Sequence, residues 1–163
     1  MYSRPLAHHL TWGTYGTRLH GDERPTVERA HNRYGEATLE YDQHRWFREA
    51  GLLRFPPIAF DDGRMRVVES LVPTICTRGG WTLFACACGP DHVHVLLDTN
   101  GNDAKAVRMW LKRWLGEALS ERFALPTGAT WWAECGSVKF IFDDRYFGRA
   151  LPYVLNQRAT PPG

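Results

Sequence analysis

The run Asp91-His92-Val93-His94-Val95-Leu96-Leu97 sets two histidines two residues apart among aliphatic side chains. That period of two predicts a β-strand, and side chains two apart on a strand leave it in the same direction. His92 and His94 therefore share a face, and two neighbouring imidazoles are the beginning of a metal site. A second set, Tyr153-Val154-Leu155-Asn156-Gln157, places a phenol and an amide four apart, on one face of a helix. The amide oxygen of Gln157 can serve as a neutral third ligand. Two imidazoles and an amide leave positions for a phosphate oxygen and water, where Mg2+ or Mn2+ would act as a Lewis acid. The phenol of Tyr153, one turn away, could attack that phosphate as a nucleophile. Its ordinary pKa of about 10 means that it needs help in losing its proton. Each set also has a plainer reading: half-exposed strand histidines, drawn from seven in the chain, and a C-terminal helix with Tyr153 packed and Gln157 solvated.

A different metal set competes for the same histidines. If Gly89-Pro90-Asp91 is a three-residue turn, Cys88 lies opposite His92 and Cys86 opposite His94, all on one face. A Cys2His2 set suits zinc. Four such positions on a flat sheet, however, form a rectangle about 7 Å long. Bonds of about 2.0–2.3 Å to a tetrahedral ion fit that shape poorly. A small structural-zinc domain is accordingly the weaker alternative.

The elements that must position these residues follow from the pattern. His8 to Thr14 predicts a first strand with mixed faces. Residues 16–63, rich in Gly, Pro, Arg and acidic residues, predict an irregular insertion with one short helix near 42–50, where Trp46 and Phe47 pack. Two consecutive prolines make Arg54-Phe55-Pro56-Pro57-Ile58 extended. Asp61-Asp62 predicts an N-cap for a helix near 62–78, with Met65, Val68, Leu71, Val72 and Ile75 as its apolar stripe. Pro73 should kink or shorten that helix, and Gly79-Gly80 should stop it. Trp81 to Cys88 and His92 to Leu97 predict a hairpin. A long helix from about Asp103 to Phe123 carries Val107, Trp110, Leu111, Trp114, Ala118 and Leu119 toward the core. Thr130 to Phe142 predicts a strand pair, or one strand broken at Gly136. A last helix begins near Asp144 and carries Tyr153 and Gln157. Pro152 predicts a break just before Tyr153, with a fresh turn starting there. The order strand, helix, strand, strand, helix, strand, helix is the α+β, ferredoxin-like split βαβ pattern, an antiparallel sheet with helices on one face, plus one added helix that carries the tyrosine.

A chain of 163 residues fits one domain, 1–163, and buries about 70% of its unfolded surface. Hydrophobic residues at 44% and charged residues at 23% are the profile of a soluble globular protein. No apolar run approaches the ~20 residues of a membrane span, and the first residues lack a signal-peptide pattern, so a cytoplasmic protein with no membrane partner is expected. There, the four cysteines (Cys76, Cys86, Cys88, Cys135) stay reduced. The net charge of +2 does not announce a nucleic-acid binder, so distribution matters more. Lys105, Arg108, Lys112 and Arg113 gather on the long helix, and Lys139 and Arg158 stand near the end. They are candidate phosphate contacts, against the plain reading of a solvated helix side. Trp131 and Trp132 are adjacent on a strand, which predicts one in the core and one exposed for base stacking.

The residues 91–97 resemble the histidine–hydrophobic–histidine (HUH) motif of single-strand DNA nucleases. Tyr153-x-x-x-Gln157 resembles the partner helix of the one-tyrosine IS200-type transposases, which include the REP-associated tyrosine transposases. Leu10-Thr11-Trp12-Gly13-Thr14-Tyr15-Gly16-Thr17 with Gly21-Asp22, Arg54-Phe55-Pro56-Pro57-Ile58, and Trp132-Ala133-Glu134-Cys135-Gly136-Ser137 with Phe140 are similar to further segments of that family, in order along nearly the whole chain. The resemblance implies a ferredoxin-like transposase domain that nicks and transfers single-stranded DNA beside small hairpins, through a 5′-phosphotyrosine intermediate and a free 3′-hydroxyl. By position, it implies that His92, His94 and Gln157 hold Mg2+ or Mn2+ and that Tyr153 is the nucleophile. It implies single-stranded or hairpin DNA as partner, a nucleoid-associated location, and either a homodimer or a monomer. A non-catalytic nucleic-acid-binding module on the same fold is the alternative from a different functional class.

Overall fold

The structure, a computed structural model, describes residues 4–17 and 51–157. The helix expected near 42–50 with Trp46 and Phe47, the Gly21-Asp22 pair and Arg158 lie outside the described residues. The elements are β1 (Ala7–Thr14), α1 (Asp62–Gly79), β2 (Thr82–Cys88), β3 (His92–Asp98), α2 (Ala104–Arg122), β4 (Trp132–Ile141) and α3 (Asp144–Leu155). The strands form one four-stranded sheet in the order β2-β3-β1-β4, and every neighbouring pair is antiparallel. This is the split βαβ arrangement that the order of predicted elements implied.

Strand alternation divides the sheet into two faces. Leu10 and Trp12 from β1, Val93, Val95 and Leu97 from β3, and Val138 from β4 point into the larger core. There they meet Val68, Val72 and Ile75 of α1 and Val107, Leu111, Leu115 and Leu119 of α2. Ala7, Ala85, Ala87, Leu96 and Ile141 point the other way, and α3 covers them with Ala150 and Val154, flanked by Tyr146, Phe147 and Leu151. The small alanines let the helix lie close, and burying Val154 contributes roughly 1.5–3 kcal/mol.

Local chemistry sets the helix ends. The Asp61 carboxylate accepts from the Arg64 amide, Asp103 from Ala106 and Asp143 from Tyr146, so each of the three helices starts on an aspartate cap. Both helix-interior prolines depart from expectation. Helix α1 runs through Pro73 to Gly79, and α3 runs unbroken through Pro152 to Leu155. Pro73 and Pro152 are exposed, and the Glu69 carbonyl that loses its helical partner at Pro73 accepts instead from the Cys86 thiol at 3.9 Å. In α3 the ladder resumes at once, the Asn156 amide donating to the Pro152 carbonyl at 2.9 Å. The break expected ahead of Tyr153 is absent.

Three other expectations are corrected. Trp131 and Trp132 are both buried, their indole N–H groups donating to the Ser120 hydroxyl and the Lys112 carbonyl, so neither is a free stacking platform. On α2, Trp110 lies at the surface and Leu115 takes the core position. Residues 132–141 make one strand; Gly136 sits within it because a Cβ there would collide with the Thr11 carbonyl oxygen.

Candidate active site

The turn between β2 and β3 decides which side chains share the histidine face. The Gly89 amide donates to the His92 carbonyl at 2.8 Å, leaving only Pro90 and Asp91 at the tip. The register that follows pairs Ala87 with His94, Cys88 with Val93 and Cys86 with Val95. The turn is one residue shorter than three, and a one-residue slip turns every side chain over. Cys86 and Cys88 therefore face the α1–α2 core, away from His94. Burial pushes the Cys86 thiol up to about 11 and the Cys76 thiol up to about 12. Thiols on the face opposite the histidines exclude the Cys2His2 site.

The turn itself is fastened. The Asp91 carbonyl accepts from the Thr14 amide at 2.9 Å, and the Pro90 carbonyl accepts from the Phe60 amide at 2.6 Å. The extended Pro-Pro segment thus straps onto the loop that carries Asp91. The Asp91 carboxylate in turn accepts from His92 Nδ1 at 2.6 Å. The His92 ring lies against Gly89, where a Cβ would stand 2.8 Å from His92 Cε1. These contacts fix the His92 ring from two sides.

His94 is held differently. Its Nδ1 lies 2.9 Å from Nε2 of His9, a buried histidine on β1. The Thr11 hydroxyl, opposite His94 in the ladder, lies 3.3 Å from His94 Nδ1 and 3.4 Å from His9 Nε2. The His92 and His94 rings are perpendicular with centroids 4.8 Å apart. Burial pushes the His9 imidazole down to about 4, the Lys139 ammonium adding in the same direction, so His9 is neutral near pH 7. His9 was not among the residues that the sequence singled out. Its only signal there is the His8-His9 pair in a strand of mixed faces.

Helix α3 brings the phenol to this cluster. Tyr153 follows the half-buried Tyr146 and Phe147 and the buried Ala150 and precedes the anchor Val154, so its ring stands at the edge of the helix over the sheet. Its centroid is 5.8 Å from that of His94 and 5.9 Å from that of His9, both edge-on. Tyr153 is 55% exposed, so a substrate could reach its hydroxyl. Gln157 lies just past the helix, in the turn after Leu155, and not on a helical face with Tyr153. Its amide nitrogen donates back to the Tyr153 carbonyl at 3.1 Å, which ties it to the tyrosine backbone.

Among the described residues, no group of three or more His, Cys, Asp or Glu is arranged to hold a metal ion. A site on His92 and His94 would need its third donor from another residue type, and the Gln157 amide oxygen is one. With Nδ1 of His92 and Nδ1 of His94 engaged, each ring would meet a cation at Nε2, the arrangement usual for metal-bound imidazoles.

The candidate phosphate contacts fall on two sides. Lys105, Arg108, Lys112 and Arg113 are on α2, across the sheet from the histidines. Lys112 Nζ donates to the Ala133 carbonyl at 2.7 Å, and Arg113 pairs with Glu117 and lies over the Trp110 ring. Lys139 is exposed on β4, directly beside His9 in the ladder. No helix among the described residues is long and apolar enough to cross a membrane.

No family model matches the sequence, and no curated protein matches it. Solved structures do. A candidate transposase from Deinococcus radiodurans R1 aligns over 96% of this chain and 93% of its own, with 20% identity and a TM-score of 0.42. A REP-associated tyrosine transposase, solved bound to a REP hairpin, aligns over 98% of this chain and 70% of its own, with 10% identity and a TM-score of 0.55. On the second of these likenesses, this chain has the α+β fold of a tyrosine transposase.

Proposed function

We propose that this chain is a transposase: a metal-dependent endonuclease and strand transferase that acts on single-stranded DNA at hairpin-flanked sites. The observation that carries the reading is the approach of the exposed Tyr153 ring to within 5.8 Å of the His94 ring, from a helix on the histidine face of the sheet. The structural neighbour's REP hairpin supports hairpin DNA as the substrate class.

In this reading the Tyr153 hydroxyl oxygen attacks the scissile phosphorus as its proton passes to solvent. The bond from phosphorus to the 3′-oxygen breaks, and that oxygen takes a proton and leaves as a free 3′-hydroxyl. The 5′ end of the other fragment stays on Tyr153 as a phosphotyrosine diester. Attack by another 3′-hydroxyl reverses the chemistry and rejoins strands without a further energy source. His92, His94 and Gln157 are the residues that would hold Mg2+ or Mn2+, which when bound supplies Lewis-acid polarisation of the phosphate. Asp91 fixes the His92 ring, and Gln157, tied to the Tyr153 carbonyl, keeps the amide and the phenol in one unit. Lys139 is the basic side chain nearest in register to the cluster and suits a flanking phosphate.

The test is a denaturing gel of the protein incubated with Mn2+ and hairpin oligonucleotides labelled at either end. The proposal expects label at protein size only from the fragment on the 5′-phosphate side. Label retained from the other side, or hairpin binding without any adduct, would overturn it.

A further inference from the structure

His9 is buried in the middle of the sheet and takes no part in the chemistry above, yet it touches two of the residues that do. On β1 its diagonal neighbour across the ladder is His94, and the two rings meet nitrogen to nitrogen at 2.9 Å. A nitrogen–nitrogen hydrogen bond needs one donor and one acceptor, so it couples the tautomers of the two rings. His92 shows the same feature with an unambiguous sense. A carboxylate can only accept, so the Asp91 contact places the His92 proton on Nδ1. His9 stands at the corresponding nitrogen of His94, with the Thr11 hydroxyl beside the same pair.

We infer that His9 is a positioning residue: its Nε2 accepts a hydrogen bond from His94 Nδ1 and so holds His94 in the tautomer that offers Nε2 to a divalent cation, the part that Asp91 plays for His92. This rests on the proposed metal role of His94. The 2.9 Å contact is made with the two ring planes tilted 31° to each other, the His9 ring held against His94 inside the sheet. The inference explains why a polar ring occupies a position 6% exposed on the face that Ala7, Ala85, Ala87, Leu96 and Ile141 make apolar elsewhere. It also gives the sheet two unlike orienting groups, a carboxylate at the rim and an imidazole inside, where a carboxylate would be costly to bury.

Two measurements on the whole chain test it. In 15N-imidazole NMR without metal, His94 should carry its proton on Nδ1 in the wild-type protein. Mn2+ binding, followed by the loss of its free-ion EPR signal, should weaken about 10- to 100-fold in His9→Phe, which keeps the ring but not the acceptor. His9→Gln, whose amide oxygen reaches the Nε2 position, should restore binding to within a few-fold of wild type. A His94 proton on Nε2 in the wild type would overturn the inference, whether or not the variants fold. So would His9→Phe binding Mn2+ as tightly as wild type while His94→Ala loses it, an outcome that leaves the metal role of His94 standing. Wild-type-like binding by His94→Ala would instead sink the metal role itself, and this inference with it.

Discussion

At the scale of single residues, the pair His92 and His94 was legible because a strand's period of two leaves little choice of face. Tyr153 was singled out by its spacing to Gln157, although Gln157 lies past the helix end and shares no helical face with it. His9 was not, because its partner lies 85 residues away and nothing local marks it. Its environment has a consequence for stability. The His9 imidazole titrates at about 4 in the folded chain and near 6.5 when unfolded. The folded state favours the neutral ring, so this stabilisation is complete above pH 6.5 and is lost as pH falls from 6.5 toward 4. The loss amounts to about 3 kcal/mol. Urea unfolding of the metal-free protein at pH 7, 5.5 and 4 should show His9→Phe losing less stability than wild type by that order. Parallel profiles would contradict the burial of a neutral His9 beside Lys139 and His94.

At the scale of elements, the order of strands and helices along the chain and the cap at Asp61 followed from the sequence, while Asp103 and Asp143 cap the other two helices in the same way. The hairpin was harder. Gly89-Pro90-Asp91 fits either a two- or a three-residue turn, and only the ladder shows that Gly89 pairs with His92. That single residue moved both cysteines off the histidine face. Proline was misleading for a different reason: its cost in a helix depends on whether the orphaned carbonyl finds another partner, as Glu69 finds the Cys86 thiol, and a local pattern does not contain that. Pro152→Ala should therefore restore one helical hydrogen bond and stabilise α3 by about 2 kcal/mol. A higher Tm with Tyr153 still able to form an adduct is expected, and a lower Tm would show that the proline is required. Gly136→Ala has the opposite sign. The added methyl meets the Thr11 backbone, which cannot rotate away, and should cost at least about 2 kcal/mol, a drop of several degrees in Tm. An unchanged Tm would mean that β1 and β4 approach less closely than the structure shows.

At the scale of the whole molecule, the sheet separates a packing side from a chemical side. Helices α1 and α2 bury one face, and α3 lays the tyrosine over the other. This separation could not be foreseen for the basic residues, because helical periodicity tells which face of α2 is polar but not which side of the sheet α2 covers. Lys139 is on the histidine side, whereas Lys105 is not. Binding of a fluorescent single-stranded hairpin across 50–200 mM salt should weaken in Lys139→Ala, with a log–log salt slope shallower by about 1. Lys105→Ala should leave both affinity and slope unchanged; the reverse order would place the DNA on the α2 side. Both faces serve one claim, that Tyr153 is a nucleophile carried to a histidine cluster by α3. The most direct test compares wild-type protein with Tyr153→Phe, each incubated with labelled hairpin DNA and Mn2+ and run on a denaturing gel. The account predicts a labelled band at protein size for wild type and none for Tyr153→Phe, with hairpin binding retained in both. An adduct or strand cleavage that persists in Tyr153→Phe would contradict it.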